Sequence, residues 1–525
     1  MFYNQSSLNV EYRTSNIEKV ELRERMISLN LRELIKCTKV LAFGGNPDIE
    51  ILDLAYDSRE VKPGTLFVAI PGLKIDGHKF ILDALQRKAV AAIIENSAFR
   101  SAQYPWVQVP DSRKALADLS CAFHGDPSRF LNLVGVTGTN GKTTTTNLIT
   151  AILEEAGHRA GLVGTIQNRI GKEVFPVAHT TPEAPDLQKL FKLFLAKGAE
   201  YGVIEVSSHA LELQRVRNTE FDIAVFTNLT QEHLDFHRDM ESYLLAKGKL
   251  FSSLGYNAHK KRRKFAILNA DDPYTQYLAE MTRVPIITYG IENDADVKAE
   301  KVQVTSAGVE YFLRYTNQQL AVKLKLTGLF NVYNSLAAIA VGLVEGIPIE
   351  GIIATLEKIA GIPGRFESVN GGHEYTVIVD YSHTPDSLEN CLKTAKELAR
   401  GRIITVFGCG GDRDRTKRPL MGEVAGRLSD LCIVTSDNPR SEEPAAIIAE
   451  IVPGLERGAH GTPFLQIADR RKAIFRAVQE AKPEDIIIIA GKGHEDYQLI
   501  GTQVFPFDDK KVAKEALCQA GKWRD

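Results

Sequence analysis

An α/β protein of three domains, built on largely parallel sheets, is what this 525-residue sequence predicts. Three observations support this. Short β-rich runs alternate with helical stretches almost throughout, the pattern of βαβ winding. At about 150 residues per domain, the length fits about three units. Two clusters of chain-breaking residues, Gly125-Asp126-Pro127-Ser128 and Gly361-Ile362-Pro363-Gly364, then divide the chain into 26–127, 128–362 and 363–525. Hydrophobic residues at 44% and charged residues at 25% are the balance of a soluble globular protein. A net charge of −2 gives no reason to expect nucleic acid as the main partner. No apolar run approaches the ~20 residues of a membrane span. The six cysteines, Cys37, Cys121, Cys391, Cys409, Cys432 and Cys518, are too scattered for a zinc site or a disulfide framework and suit a reducing cytosol. The expectation is a cytoplasmic monomer.

Residues 1–25 read as a weakly structured extension without a secretory signal, because Arg13, Glu18, Lys19, Glu21, Arg23, Glu24 and Arg25 interrupt any apolar core. Met26 is a second candidate start, and Leu29–Leu34 is expected to open the first helix. In the middle domain Leu131–Val136, Gly202–Val206, Ile223–Phe226 and Phe265–Leu268 read as buried strands. Between 297 and 326 the alternation in Val302-Gln303-Val304 and Val322-Lys323-Leu324-Lys325-Leu326 predicts antiparallel strands added at an edge. The dense basic run Lys260–Lys264 is expected to be a solvated loop ahead of the strand Phe265–Asn269. The last domain offers strands at Thr376–Val379, Ile403–Val406, Cys432–Val434 and Ile486–Ile489, each followed by polar residues or glycines. In open α/β sheets ligands collect beyond the carboxyl ends of the strands, so chemistry is expected at these clusters.

The sharpest of them follows the first strand of the middle domain: Gly138-Thr139-Asn140-Gly141-Lys142-Thr143-Thr144. Glycines let a backbone approach a phosphate chain, and successive N–H groups with the following helix terminus hold its charge. Lys142 can reach the terminal phosphates of ATP, and the Thr143 hydroxyl suits a phosphate-bound Mg²⁺. The strict pattern wants a glycine where Val136 stands. Glu205 ends its strand; it is either a second oxygen ligand of that Mg²⁺ or a solvated strand end. His233 lies in the polar run Thr227–His237, after a strand expected to neighbour the P-loop strand. Thr384 and Pro385 of Asp380-Tyr381-Ser382-His383-Thr384-Pro385 make an N-cap and a first helical residue, leaving Asp380 and His383 at the strand end. Cys409–Asp414, Asp437-Asn438-Pro439-Arg440 and Gly491–Glu495 complete the clusters. A turn explains Asn438-Pro439 but not the two charges flanking it.

Taken in order, these motifs resemble the Mur ligase family, the ATP-dependent amide-bond-forming enzymes of peptidoglycan synthesis, over nearly the whole chain from about residue 30. The residues that match are Gly138–Thr143, Glu205–His209, Thr227–Leu229, His233–Asp235, Asn331–Asn334, Gly364–Glu367 and Asp380–Pro385. Gly138–Thr143 is the family's variant P-loop, which accounts for Val136; Ser382 stands where alanine is more usual. Within the family the chain is similar to members that add the third residue of the peptide. The resemblance implies a first domain that holds a UDP-N-acetylmuramoyl dipeptide, with Ser58 near the uracil end. Thr180, Thr181, Ser207 and Arg215 would hold the rest of that substrate, and Asn331, Arg365 and Asp380 would complete the ATP site. It further implies a central P-loop ATPase domain, a Rossmann-like last domain and a carbamylated Lys247. The carbamate makes chemical sense, since an ammonium would repel Mg²⁺ whereas a carbamate oxygen would join His233 as ligand to a second ion.

In this family Asp437-Asn438-Pro439-Arg440 matches the motif for meso-diaminopimelate, with Arg413, Gly491 and Glu495 at the remaining positions. A guanidinium can grip the distal carboxylate that lysine lacks through two hydrogen bonds, and Glu495 suits the distal ammonium. The implied reaction passes the γ-phosphate of ATP to the dipeptide carboxylate, and the amine of diaminopimelate then displaces phosphate from the acyl phosphate. Catalysis would rest on positioning and charge neutralisation, with Lys142, Lys247, His233 and Asp380 as the catalytic set. A folylpolyglutamate synthetase shares the middle-domain motifs, but the domain of roughly 100 residues ahead of the P-loop and Asp437–Arg440 argue against it. A P-loop switch or motor protein would not need the clusters of the last domain.

Overall fold

A computed structural model of the chain describes residues 29–72, 75–177, 179–256, 259–305, 308–369, 374–458 and 461–521. The expected N-terminal extension and the candidate start Met26 lie outside these residues. Leu29 and Asn30 do not open the first helix. They pair antiparallel with Ile51 and Glu50, and the helix begins at Leu31 with Asn30 as its cap. The asparagine amide oxygen accepts from Arg32 N, which fixes that start.

The first domain carries a five-stranded sheet whose parallel strands Asp53–Ala55, Thr65–Val68, Ala91–Ile94 and Trp106–Gln108 lie in chain order, with Ala42–Gly44 antiparallel at the far edge. The central domain is organised around an eleven-stranded sheet. Its nucleotide-loop strand, β1 (Asn132–Thr137), leads into helix α1 (Lys142–Glu155). β1 lies between β2 (Tyr201–Glu205) and β3 (Ile223–Phe226), parallel to both. The strand preceding His233 therefore does neighbour the P-loop strand. Val134, Val136, Val203 and Val225 face α1 and helix α3 (Leu329–Val344), with helix α2 (Met240–Ser253) on the opposite face. Full burial on both faces explains why these strands read as unbroken apolar runs.

The antiparallel edge is present as Val297–Thr305, Gly308–Tyr315 and Gln318–Leu324. A second one, Asn168–Ile170 with Glu173–Phe175, closes the other side of the sheet; runs of three residues give no periodicity to detect. The basic run is a loop but only partly solvated: Lys261 and Arg263 are exposed, whereas Lys260, Arg262 and Lys264 turn inward. Lys260 Nζ reaches Asp222 at 2.5 Å and the carbonyls of Leu131 and Glu220, and Lys264 Nζ lies 3.3 Å from the other Asp222 oxygen. Arg262 pairs with Glu345. The cations are drawn in because Asp222, buried at the foot of β3, needs counter-charge.

The last domain has a six-stranded sheet containing β4 (Thr376–Asp380), β5 (Ile403–Phe407), β6 (Leu431–Val434) and β7 (Ile486–Ala490) in the parallel order β4, β7, β5, β6. Helix α4 (Pro385–Leu398) follows β4 with Thr384 as its cap and Pro385 in its first turn. Among the described residues no helix is long and apolar enough to cross a membrane.

Candidate active site

The nucleotide loop is shaped by its neighbours. Gly138 and Gly141 have φ of 150° and 84°, conformations open to glycine. A Cβ at Gly138 would strike the Thr227 hydroxyl, and one at Gly141 the amide oxygen of Asn334. After β3, Asn228 accepts from Thr139 N through its carbonyl and from Asn140 N through its side chain, both at 2.8 Å. The Thr227 hydroxyl donates to Asn140 O at 2.7 Å. Asn334, itself donating to Asn331 Oδ1 at 3.0 Å, accepts from Thr145 below the loop. Lys142 folds over the loop and donates to the carbonyls of Gly138 and Thr139 at 2.9 and 2.6 Å. Burial lowers its pKa.

Thr143 opens α1 at the end of this loop, and its hydroxyl donates to Glu205 Oε2 at 3.0 Å. Glu205 is 1% exposed, so it is not a solvated strand end. Its carboxylate accepts from Thr165 N and the Thr165 hydroxyl, each at 2.9 Å. A hydroxyl and a carboxylate this close form a hard oxygen pair, the donor set Mg²⁺ prefers. From the start of the last domain, Arg365 Nη2 donates to Thr143 Oγ1 at 2.9 Å, and its guanidinium packs over the Tyr381 ring. Arg365 Nε is buried without an acceptor. An unfilled cationic donor beside a phosphate loop fits an anionic ligand.

The expected sugar-peptide contacts share one network at the end of β2. The Thr181 hydroxyl donates to Glu205 O at 2.7 Å and accepts from Ser207 N at 3.1 Å. The Thr180 and Thr165 hydroxyls lie 3.1 Å apart, and Arg215 donates to Thr181 O at 3.0 Å while pairing with Glu183. Arg215 Nε and Arg113 Nη1 are buried without acceptors at this junction with the first domain. Ser58 lies apart from this network, buried in a one-turn helix capped by Asp57.

Lys247, on α2, is 1% exposed. Its amine donates to Gly138 O at 2.7 Å and lies 4.4 Å from the Tyr243 ring centre. Burial, with Lys142 nearby, holds its pKa well below the ordinary lysine value. A neutral buried amine is the species that can take up CO₂. His233, at φ 58°, packs its ring edge-on to His209 and to Tyr243. Its Nε2 lies 3.5 Å from Glu232.

Across the domain boundary, burial raises Asp380, whose carboxylate accepts from Phe366 N at 2.7 Å and from the Ser382 hydroxyl. It thereby positions the turn that carries Arg365. His383 holds Tyr381 O through Nδ1 and is lowered by burial. A cleft of about 1330 Å³ separates the central and last domains. Thr180, Glu232 and His233 line one wall, and Arg413, Asn438, Arg440, Gly491 and Glu495 the other. Asp437 lies on that wall as well, while the carbonyl of Pro439 backs onto Gly411. Arg440, in left-handed backbone at φ 51°, donates to Gly411 O at 2.9 Å. Ser58, Thr181, Ser207 and Arg215 are not on this cleft, and neither are the phosphate loop, Glu205, Lys247, Asn331, Arg365 and Asp380. The arrangement can therefore hold a triphosphate with a hard cation on one side and an amino acid bearing an extra carboxylate on the other. Sequence reasoning did not assign Thr165, which orients Glu205, or Asp386, which meets Asn140; neither sits in a motif with a fixed spacing.

Comparison with known proteins identifies the family of the chain. Sequence profiles match for the Mur ligase family catalytic domain over residues 50–124, the Mur ligase middle domain over 136–342 and the Mur ligase glutamate ligase domain over 364–493. The UDP-N-acetylmuramoyl-L-alanyl-D-glutamate–2,6-diaminopimelate ligase of Syntrophomonas wolfei is 48% identical over 489 residues, 93% of this chain and 99% of that protein. The enzyme of the same name from Geobacillus thermodenitrificans is 49% identical over 474 residues, covering 90% and 96%. A solved structure of a protein of this name superposes with a TM-score of 0.66 at 32% identity, covering 94% of this chain and all of the other. With all three domain profiles matched and near-complete coverage of these relatives, the chain belongs to the Mur ligase family.

Proposed function

We propose that this protein is an ATP-dependent ligase that adds meso-diaminopimelate to UDP-N-acetylmuramoyl-L-alanyl-D-glutamate in peptidoglycan synthesis. The observation behind the amino-acid assignment is the cleft wall on which Arg440 and Arg413 face the same space as Glu495. Two guanidiniums and a carboxylate match the distal carboxylate and distal ammonium of the diamino acid. Relatives of that name at 48–49% identity support the same reading.

In this reading the terminal D-glutamyl carboxylate attacks the γ-phosphorus of ATP, forming a P–O bond as the bond to ADP breaks. The amine of diaminopimelate then attacks the acyl carbon, the C–O bond to phosphate breaks, and the amine proton is lost. Lys142 and Arg365 hold the phosphate oxygens, Asn331 and Asn334 brace the loop, and Asp380 orients Arg365. Thr143 and Glu205 would hold Mg²⁺, which would neutralise phosphate charge. Lys247, as a carbamate, would stand with His233 at a second ion. Thr180, Thr181, Ser207 and Arg215 would orient the acceptor, and Ser58 the nucleotide end of the same molecule. No covalent enzyme nucleophile is required.

Phosphate release with the UDP-linked dipeptide, compared between meso-diaminopimelate and L-lysine, tests the assignment. Losing a charged hydrogen bond to a buried partner costs about 2–5 kcal/mol, so kcat/KM for lysine should be lower by roughly 30-fold or more. Equal values would refute the role of Arg440; no release with either would refute the ligase reading.

A further inference from the structure

Beneath the cleft floor lies a lysine that the mechanism above does not use. Lys492 follows β7, and its side chain is fully buried. Its ammonium donates to Tyr497 O at 2.7 Å and to Asn438 Oδ1 at 2.9 Å. It also lies 3.4 Å from Glu495 Oε2 and 3.8 Å from Asp437 Oδ1. Burial of an ammonium is costly unless acceptors and opposite charge surround it, as they do here.

The contacts decide how two neighbours point. Asn438 Oδ1 accepts from Lys492 and from Leu499 N at 2.9 Å, so the amide is oriented and its Nδ2 faces Glu495 Oε2 at 2.8 Å. Lys492 and Asn438 both engage Oε2 of Glu495, a residue that lines the cleft, and so leave its other oxygen for a ligand. We propose that Lys492 is a specificity-determining positioning residue: it fixes Asn438 and one oxygen of Glu495 so that the other oxygen meets the distal ammonium of the incoming diamino acid. This rests on the reading of the cleft as the diaminopimelate site.

The charge matters as well as the hydrogen bonds. Burial raises Glu495, and the neighbouring Asp437 adds to this, while Lys492 and Asn438 oppose it. The other charged groups around the floor are Arg470, held by Asp509 at 2.7 Å, and Arg413 and Arg440 on the wall. Tyr497 contributes its carbonyl. Without Lys492, Glu495 and Asp437 would lose the ammonium that lies 3.4 and 3.8 Å from them, leaving Arg470, already paired with Asp509, as the cation of the floor. Glu495 would then take up a proton more readily and hold an ammonium less well.

The test compares wild type with Lys492→Met and with Lys492→Gln, which keeps a donor and drops the charge. Meso-diaminopimelate, L-lysine and 2-aminopimelate, which lacks the distal amine, serve as acceptors. KM for diaminopimelate should rise about tenfold at pH 7 in both variants, with kcat changed by less than about threefold. The preference for diaminopimelate over 2-aminopimelate should fall by a similar factor, while that over lysine, which shares the distal amine, should hold. KM in the variants should recover as pH rises toward 9, and Lys492→Arg should restore most of the affinity. An unchanged KM and an unchanged preference over 2-aminopimelate, with only a lower melting temperature, would overturn the inference. Glu495→Gln separates the two levels. If it too leaves KM for diaminopimelate unchanged, the cleft reading fails; if it raises KM while the Lys492 variants do not, only the role of Lys492 fails.

Discussion

Lys247 shows how much the fold can change a single side chain. On the surface of α2 it would be an ordinary ammonium. Buried with its amine on Gly138 O and Lys142 nearby, it is held well below the usual lysine range. That shift favours the neutral amine, the form that would add to CO₂, lose one proton and become an anionic oxygen donor where a cation would repel Mg²⁺. Replacing Lys247 by Ala should lower kcat by about 10²-fold, the usual cost of losing one charge-stabilising group. Adding a short-chain carboxylate, which can occupy the vacated space, should restore part of the rate in the phosphate-release assay. Full activity without such an addition would exclude the carbamate. Glu205 makes the complementary point: its burial could not be read from the sequence, because a carboxylate at a strand end looks the same whether solvent or Thr143 and Thr165 surround it.

At the scale of elements, the sequence revealed what periodicity and turn chemistry encode. The strands of the last domain lie within one residue of their expected bounds, because short runs of mainly β-branched and apolar residues between polar clusters allow little else. The cap at Thr384 was legible for the same reason. The basic run was misread because its partners are distant in sequence. Asp222, 1% exposed, accepts from Leu133 N at 2.8 Å and from Lys260 at 2.5 Å, with Lys264 on its other oxygen. This ties the foot of β3 to β1 and to the segment that feeds the next strand. Removing one member of such a buried cluster leaves uncompensated charge, so Asp222→Ala should destabilise the protein by about 3–5 kcal/mol. Urea denaturation would show it as a lower midpoint, and a further Lys260→Met change should recover part of the loss. A midpoint within error of wild type would mean that the cluster is effectively solvated.

At the scale of the whole molecule, the chemistry is divided between domains that must meet, and no single motif could reveal how they do. Among the described residues, two side-chain hydrogen bonds join the last domain to the nucleotide loop. Arg365 reaches Thr143, and Asp386, in the first turn of α4, accepts from Asn140 Nδ2 at 2.5 Å and from the Thr230 hydroxyl at 2.9 Å. The two contacts carry opposite charge, so a triphosphate in the loop should strengthen the first and oppose the second. Asp386 should thus help seat the last domain on the loop before nucleotide arrives and give way as phosphate charge builds. Two hydrogen bonds to a partly exposed carboxylate contribute about 2 kcal/mol, enough to shift an open–closed equilibrium by roughly 30-fold. Asp386→Ala should therefore enlarge the radius of gyration of the nucleotide-free protein in small-angle scattering. With a non-hydrolysable ATP analogue bound, the variant and wild type should coincide, because Arg365 then holds the domains together. Asp386→Asn, which can still pair with Asn140 and Thr230 but lacks the charge, should stay compact without nucleotide. Identical scattering from all three nucleotide-free proteins would show that the seat is made elsewhere on the interface.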